Sequence, residues 1–210
     1  MPVFEYCAFD ASQGYKLDPS SAVHPVVEIM LEHASGLLSY HHGLQADDKS
    51  KGYFFVGWRS LANHQRLIDD QNVYPKLSAA VEACVAPGGK IAMQHFDFTC
   101  ALDRVANGCV TEFGLYTLEA GGTKKELQKV WDTEIVPILR NSVAEEGLGI
   151  GVDEGSSPSP NANAVLMPLG WSSEEKRQDF KLMKWPVVQN ALRDLVVVDA
   201  EVCVHLIREI

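Results

Sequence analysis

Gly57-Trp58-Arg59-Ser60 recurs as Gly170-Trp171-Ser172-Ser173, 113 positions further along a chain of 210 residues. An apolar run, Tyr53 to Val56, leads into the first copy. A hydroxyl cap follows it, then an amphipathic segment carrying Gln65 and Leu67 and then Tyr74-Pro75. Leu166 to Leu169 leads into the second copy, and the segment after it carries Gln178, Phe180 and then Trp185-Pro186. A period of half the chain describes two duplicated units and not a short solenoid repeat.

Outward from these copies the pattern is the same in both halves. Val3 to Phe9 is rich in strand formers and precedes a turn-like stretch, Asp10 to Gly14. Asp18-Pro19-Ser20-Ser21 reads as a helix start, with Val23, Val27, Met30, Leu31 and Ala34 at helical spacing until Gly36; Pro25 points to a late start of the regular helix. Leu37 to His42 and Gly52 to Trp58 read as strands. Ser60 caps a helix interrupted at Tyr74-Pro75 that resumes to Cys84, and Lys90 to Phe98 is a fourth strand. After a linker at 99–108, Val110 to Leu118 is a strand, and Thr123 with Glu126 forms a capping box before a helix that Pro137 should kink. Gly147 to Val152 reads as a weak strand, and Asp153 to Asn163 as a Gly/Ser/Pro/Asn-rich loop. Ala164 to Trp171, a helix opened by Ser172 and Glu175, and Val197 to Ile207 complete the set. The fold class is α+β: β-α-β-β-α-β twice, a tandem ferredoxin-like arrangement over 1–98 and 109–210. A sheet with helices on one face only leaves an apolar face that needs a partner.

Composition narrows the function. With 18 basic against 28 acidic residues the net charge is -10, which repels phosphate backbones and anionic membranes, so neither nucleic acid nor membrane is an expected partner. No apolar run approaches a membrane span and the start lacks a basic signal, so a cytoplasmic protein is expected. The five cysteines, Cys7, Cys84, Cys100, Cys109 and Cys203, form no Cys-x-x-Cys pair and read as reduced thiols. No Gly-rich phosphate loop is present, so no organic cofactor is expected.

Strand, Gly-Trp-x-Ser and a helix carrying His64-Gln65 together resemble the dimeric α+β barrel superfamily, in its antibiotic-biosynthesis-monooxygenase-like branch. The resemblance implies two ferredoxin-like units packed sheet to sheet around a small-molecule pocket. Here one chain supplies both, giving an intramolecular α+β barrel. It also implies a choice among cofactor-independent oxygenases, cyclases, isomerases, haem-degrading enzymes and non-catalytic stress-responsive barrels, which fold alone does not make. By position Trp58 and Trp171 match a pocket-facing Trp of the haem-degrading branch. Where that branch has a haem-ligating His this chain has Ser78 or its neighbours, which disfavours haem degradation.

Strand parity nominates the pocket residues. Phe4, Tyr6 and Ala8 are expected on the helix side, sending Glu5, Cys7 and Phe9 toward the pocket; Phe113 and Leu115 likewise send Glu112, Gly114 and Tyr116 there. In the last strands His95 shares a face with Met93, and His205 with Cys203. A register pairing Glu5 with His95 leaves Val3 opposite Asp97 and Phe9 opposite Ile91, and the second half allows Glu112 opposite His205. A carboxylate beside an imidazole holds its tautomer and makes it a base suited to neutral pH. The plainer alternative is a satisfied sheet histidine with solvated glutamates. Tyr40, His41 and His42 are the densest polar cluster in any predicted strand. His41 and His42 face opposite ways and do not readily ligate one metal together, and an edge-strand surface role is the simpler account of them; metal binding through one of them with His95 and Glu5 stays open, with no support from spacing beyond ordinary histidine usage. His64, replaced by Arg177 in the second half, reads as a surface or capping residue.

The expectation is therefore a small-molecule enzyme of secondary metabolism acting on a hydrophobic or aromatic, polyketide-like substrate by cofactor-independent oxygenation or cyclisation. His95 is the base, Glu5 its orienter, and Tyr40, His41 or His42 the donor to a developing enolate. Trp58, Trp171, Phe9, Met93, Tyr116, Glu112, His205 and Tyr74 are the expected substrate contacts. The alternative is a non-catalytic ligand-binding or stress-responsive barrel, and homodimerisation stays open.

Overall fold

The computed structural model describes residues 2–98, 105–106, 108–140, 151–153 (backbone only) and 163–210. Cys100, most of the linker at 99–108 and most of the loop after Asp153 lie outside the described residues. The chain forms two compact units, Met1–Asp97 with Val204–Ile210, and Phe98–Cys203.

Unit one runs β1 (Val3–Asp10), α1 (Gln13–Leu17), α2 (Pro19–His33), β2 (Leu37–Leu44), β3 (Lys51–Trp58), α3 (Leu61–Asp69), α4 (Tyr74–Cys84) and β4 (Ile91–Phe98), and ends in β9 (Ile207–Arg208). Its strand order is β4-β1-β3-β2-β9, all neighbours antiparallel. The split β-α-β-β-α-β connection puts the first strand in the centre, flanked by the third and fourth, as the ferredoxin-like arrangement requires. Asp18 accepts from the Ser21 backbone N–H (3.1 Å) and starts α2 at Pro19. Pro25 therefore lies inside the helix and does not delay it; the cap already holds the first turn. The stretch expected as a turn after β1 runs into α1, which starts at Gln13 and is capped by Ser12 (3.2 Å to the Tyr15 N–H).

Unit two contains β5 (Val110–Leu118), α5 (Lys124–Val130), a π-helical turn (Trp131–Ile135), α6 (Val136–Leu139), β6 (Gly151–Asp153), β7 (Ala164–Trp171), α7 (Glu174–Met183), α8 (Trp185–Leu192) and β8 (Val196–Val204), with strand order β8-β5-β7-β6. The Thr123–Glu126 capping box is present in both directions. Pro137 has no N–H to give the carbonyl four residues back, and a widened π turn ends two residues before it, in place of a simple kink. Ser173, one residue later than expected, caps α7. Among the described residues no helix is long and apolar enough to cross a membrane.

The faces of β1 are the reverse of the expectation. Cys7 and Phe9 of β1, Tyr40 of β2 and Phe54, Val56 and Trp58 of β3 form one core with Tyr15 of α1, Val23, Val26 and Met30 of α2, Leu67 of α3 and Leu77 of α4. Glu5, Cys7 and Phe9 thus face the helices, and Phe4 and Tyr6 the other side. The physical reason is that Phe4 and Tyr6 are buried as well. A strand apolar on both faces has no alternation from which to read direction.

Candidate functional site

Glu5 and His95 are cross-strand partners, with Val3 opposite Asp97 and Phe9 opposite Ile91, the register read from the sequence. Because this row faces the helices, the pair meets a residue that sequence reasoning set aside. His64, on α3, is 4% exposed, and its imidazole lies parallel to the Trp58 indole (centroids 4.7 Å apart, 11° between planes). Its Nδ1 lies 2.7 Å from His95 Nε2 and 3.4 Å from Glu5 Oε2. The Trp58 indole N–H donates to Glu5 Oε2 (3.0 Å) and the Cys7 thiol to Glu5 Oε1 (3.1 Å). One carboxylate, two imidazoles, an indole and a thiol therefore form a single buried network, with Glu5 and His95 also nearly sealed.

The hydrogen-bond roles follow from lone pairs. His64 Nδ1 and His95 Nε2 share one proton. With a carboxylate oxygen beside His64 Nδ1, placing the proton on that nitrogen removes lone-pair repulsion and makes His95 Nε2 the acceptor. Burial pushes the Glu5 carboxyl up, but the charges of His64 and His95, with the Cys7 and Trp58 hydrogen bonds, outweigh it and hold the group below its ordinary value. Burial and the adjacent Glu5 push the Cys7 thiol well up, so it is a neutral donor and not a thiolate. The Tyr74 phenol, partly buried against the helix-side core, is raised by that burial and by Glu5 and Cys7.

Tyr40 lies in the same lateral row, His95–Glu5–Val56–Tyr40, with Val56 between it and Glu5. Its hydroxyl is buried, has no hydrogen-bond partner among the described residues, and is held well above its ordinary pKa by burial. His41 and His42 do face opposite sides of the sheet, but both are buried, at 1% and 0% exposure. The edge-strand account fails because β9 pairs with β2 at His41–Arg208 and His42–Ile207. His42 joins a separate chain: the Tyr15 hydroxyl lies 3.0 Å from its Nδ1 and Glu209 Oε1 lies 2.9 Å from its Nε2. Phe9 packs on Phe54 and Tyr15, and Met93 against the same helix-side core.

Unit two does not repeat the cluster. Glu112 is 2% exposed, and its carboxylate takes Arg177 Nε (2.9 Å) and Lys181 Nζ, both from α7, while Lys181 also reaches Glu201 (2.9 Å) and the Tyr116 hydroxyl sits 3.4 Å from Glu201. Glu112 thus takes cations of α7, where the sequence reading put His205. β8 stops at Val204, and His205 is an exposed residue whose carbonyl abuts Gly43 in unit one. Trp171 is fully buried, and its indole N–H has no acceptor among the described residues, unlike that of Trp58. The repeat itself carried the signal for His64. Adding 113 to 64 gives 177, and both residues reach from the helix after Gly-Trp to the acid of their unit's first strand. A buried carboxylate needs a positive or proton-donating partner at that position in either unit.

No family model matches the chain, and no curated protein matches it. Solved structures do. A protein of Fusobacterium nucleatum provisionally described as a monooxygenase is 13% identical, with 99% of this chain and 94% of that chain covered at a TM-score of 0.67. An anthrone oxidase-like protein is 11% identical over 98% and 91%, at 0.69. A mutant chlorite dismutase of Candidatus Nitrospira defluvii is 10% identical over 98% and 90%, at 0.61. At such identities the likeness speaks for architecture alone: the chain shares the α+β fold of these proteins.

Proposed function

We propose that the chain is an oxygenase-type enzyme for a small hydrophobic or aromatic molecule, with the Glu5–His64–His95 network of unit one as its proton acceptor. The observation that carries this reading is the network itself: a buried carboxylate lined up with two imidazoles, in a fold shared with proteins described as monooxygenases and anthrone oxidase-like. Proton removal from an activated ring methylene gives a carbanion that can reduce dioxygen directly. The balanced step is ring CH2 plus O2 to ring C=O plus H2O. His95 Nε2, the nitrogen left as acceptor, takes the proton as the His64 Nδ1–H turns from it to Glu5 Oε2, and the Tyr40 hydroxyl, a donor with no acceptor among the described residues, supports the developing enolate oxygen. Ring closure from the same carbanion is the other outcome the chemistry allows.

The test is oxygen uptake over a panel of hydroxylated tricyclic aromatics. His95→Ala should lose about 100-fold or more in turnover, in the range of a positioned general base, while keeping the native circular dichroism spectrum. Retained turnover in folded His95→Ala removes the assignment. A second reading, a non-catalytic ligand-binding or stress-responsive protein, is favoured by how thoroughly all three side chains are buried. Ligand binding without oxygen uptake across the panel would select it.

A further inference from the structure

Glu112 in unit two is neutralised by built-in cations, Arg177 and Lys181. Glu5, at the corresponding place in unit one, meets two imidazoles instead. Positive charge can reach it through those imidazoles, as an added proton or as an ion. Three further observations favour an ion. The ligand set is two imidazole nitrogens and one carboxylate oxygen, whose donor atoms all lie within 4.8 Å of one another. Two of the separations, 2.7 Å for His64 Nδ1–His95 Nε2 and 3.4 Å for His64 Nδ1–Glu5 Oε2, lie in or a few tenths of an ångström below the roughly 2.8–3.6 Å expected between neighbouring donors about 2.0–2.2 Å from one metal, so the two imidazoles need part only slightly to admit an ion. And the carboxylate is already aimed: Trp58 donates to Oε2 and Cys7 to Oε1, outer hydrogen bonds of the kind that orient metal-ligating carboxylates.

We infer that unit one binds one divalent first-row transition-metal ion through Glu5, His64 and His95, in place of the proton the two imidazoles share. Two imidazoles and a carboxylate leave coordination positions open and suit Fe2+, Co2+ or Zn2+ better than Mg2+ or Ca2+, which prefer oxygen donors. Metal on the imidazole nitrogens stops them accepting a proton, so the ion-bound and base-active states exclude each other. This last consequence rests on the function proposed above; the binding does not.

The experiment uses the full chain, freed of any affinity tag and stripped with chelator, titrated with Co2+ and followed by its visible ligand-field absorption, with Zn2+ as competitor and metal content determined independently. One Co2+ per chain with an imidazole-type spectrum is expected, displaced by Zn2+. His95→Ala should abolish the spectrum, and Trp58→Phe should weaken binding about 10–100-fold by freeing the carboxylate. His64→Arg copies the residue of unit two, so it keeps a cation beside Glu5 and should fold while binding no metal. His24→Ala removes the exposed His24–Glu28 pair of α2 and should change nothing. No Co2+ uptake by the folded parent, uptake unchanged in His64→Arg and His95→Ala, or uptake lost with His24→Ala would each overturn the inference. Turnover of the stripped protein is read separately. Its absence alongside Co2+ binding would remove the proposed oxygenase and leave the metal site, whereas turnover without Co2+ binding would do the reverse.

Discussion

His42 shows how burial sets a protonation state. With the Tyr15 hydroxyl on Nδ1 and the Glu209 carboxylate on Nε2, the ring fits as a neutral imidazole that accepts at one nitrogen and donates at the other. Its contact with Glu209 is then a hydrogen bond and not an ion pair. Burial lowers the pKa below the ordinary 6.5, and Glu209 only partly restores it. The sign follows: the unfolded chain takes up the proton first, so the contribution of neutral His42 is complete above about pH 6.5 and is lost as the pH falls from there toward the lower folded value. Urea midpoints measured from pH 7.5 to 5 should decline, and His42→Gln should flatten that part of the decline. An unchanged slope in the variant would assign the pH dependence to other groups.

Two joints between elements carry testable costs. Gly36, between α2 and β2, has φ of 91°, and a Cβ there would run into the Asn63 side chain at the start of α3. Asn63 ties that turn to α3 by donating to the Ser35 carbonyl (2.8 Å) and accepting from the Ser60 hydroxyl (2.6 Å), which is therefore not the helix cap expected from sequence. Gly36→Ala should cost about 1–3 kcal/mol from the left-handed backbone alone, and also disturb the neighbouring His64; denaturant unfolding checks it. In unit two the side chain of Glu112 is 3% exposed while those of Arg177 and Lys181 are each 21% exposed. Removing both cations strands a buried carboxylate, whereas removing the carboxylate frees two side chains that can turn to water. Arg177→Leu with Lys181→Leu should therefore lose about 3–5 kcal/mol, and Glu112→Gln clearly less. Equal losses would show that the cations, and not the carboxylate, bear the desolvation cost.

At the scale of the whole chain, the last residues return to unit one, where β9 pairs with β2, the Glu209 N–H donates to the Tyr40 carbonyl (3.0 Å) and its carboxylate reaches His42. A chain shortened to end at His205 opens the β2 edge and strips His42 of its partner. It should melt several degrees lower, on the scale of about 2–4 °C per kcal/mol for a chain of this size, as calorimetry would show. The expectation from sequence that everything after residue 109 stays with the second half has no means of seeing this return, because a two-residue strand leaves no periodic trace. The duplication, the strand and helix succession in each half, the Thr123–Glu126 box and the Glu5–His95 register were all legible from the residues, since local propensity, turn chemistry and the 113-residue repeat act at short range or by direct comparison. Which way β1 faces was not, because apolar side chains on both its faces erase the alternation that would announce it. That one choice of face is a matter of tertiary packing. It turned Glu5 and His95 toward α3 and brought His64 and Trp58 onto the carboxylate; the same choice made by β5 in unit two gave Glu112 to Arg177 and Lys181 of α7.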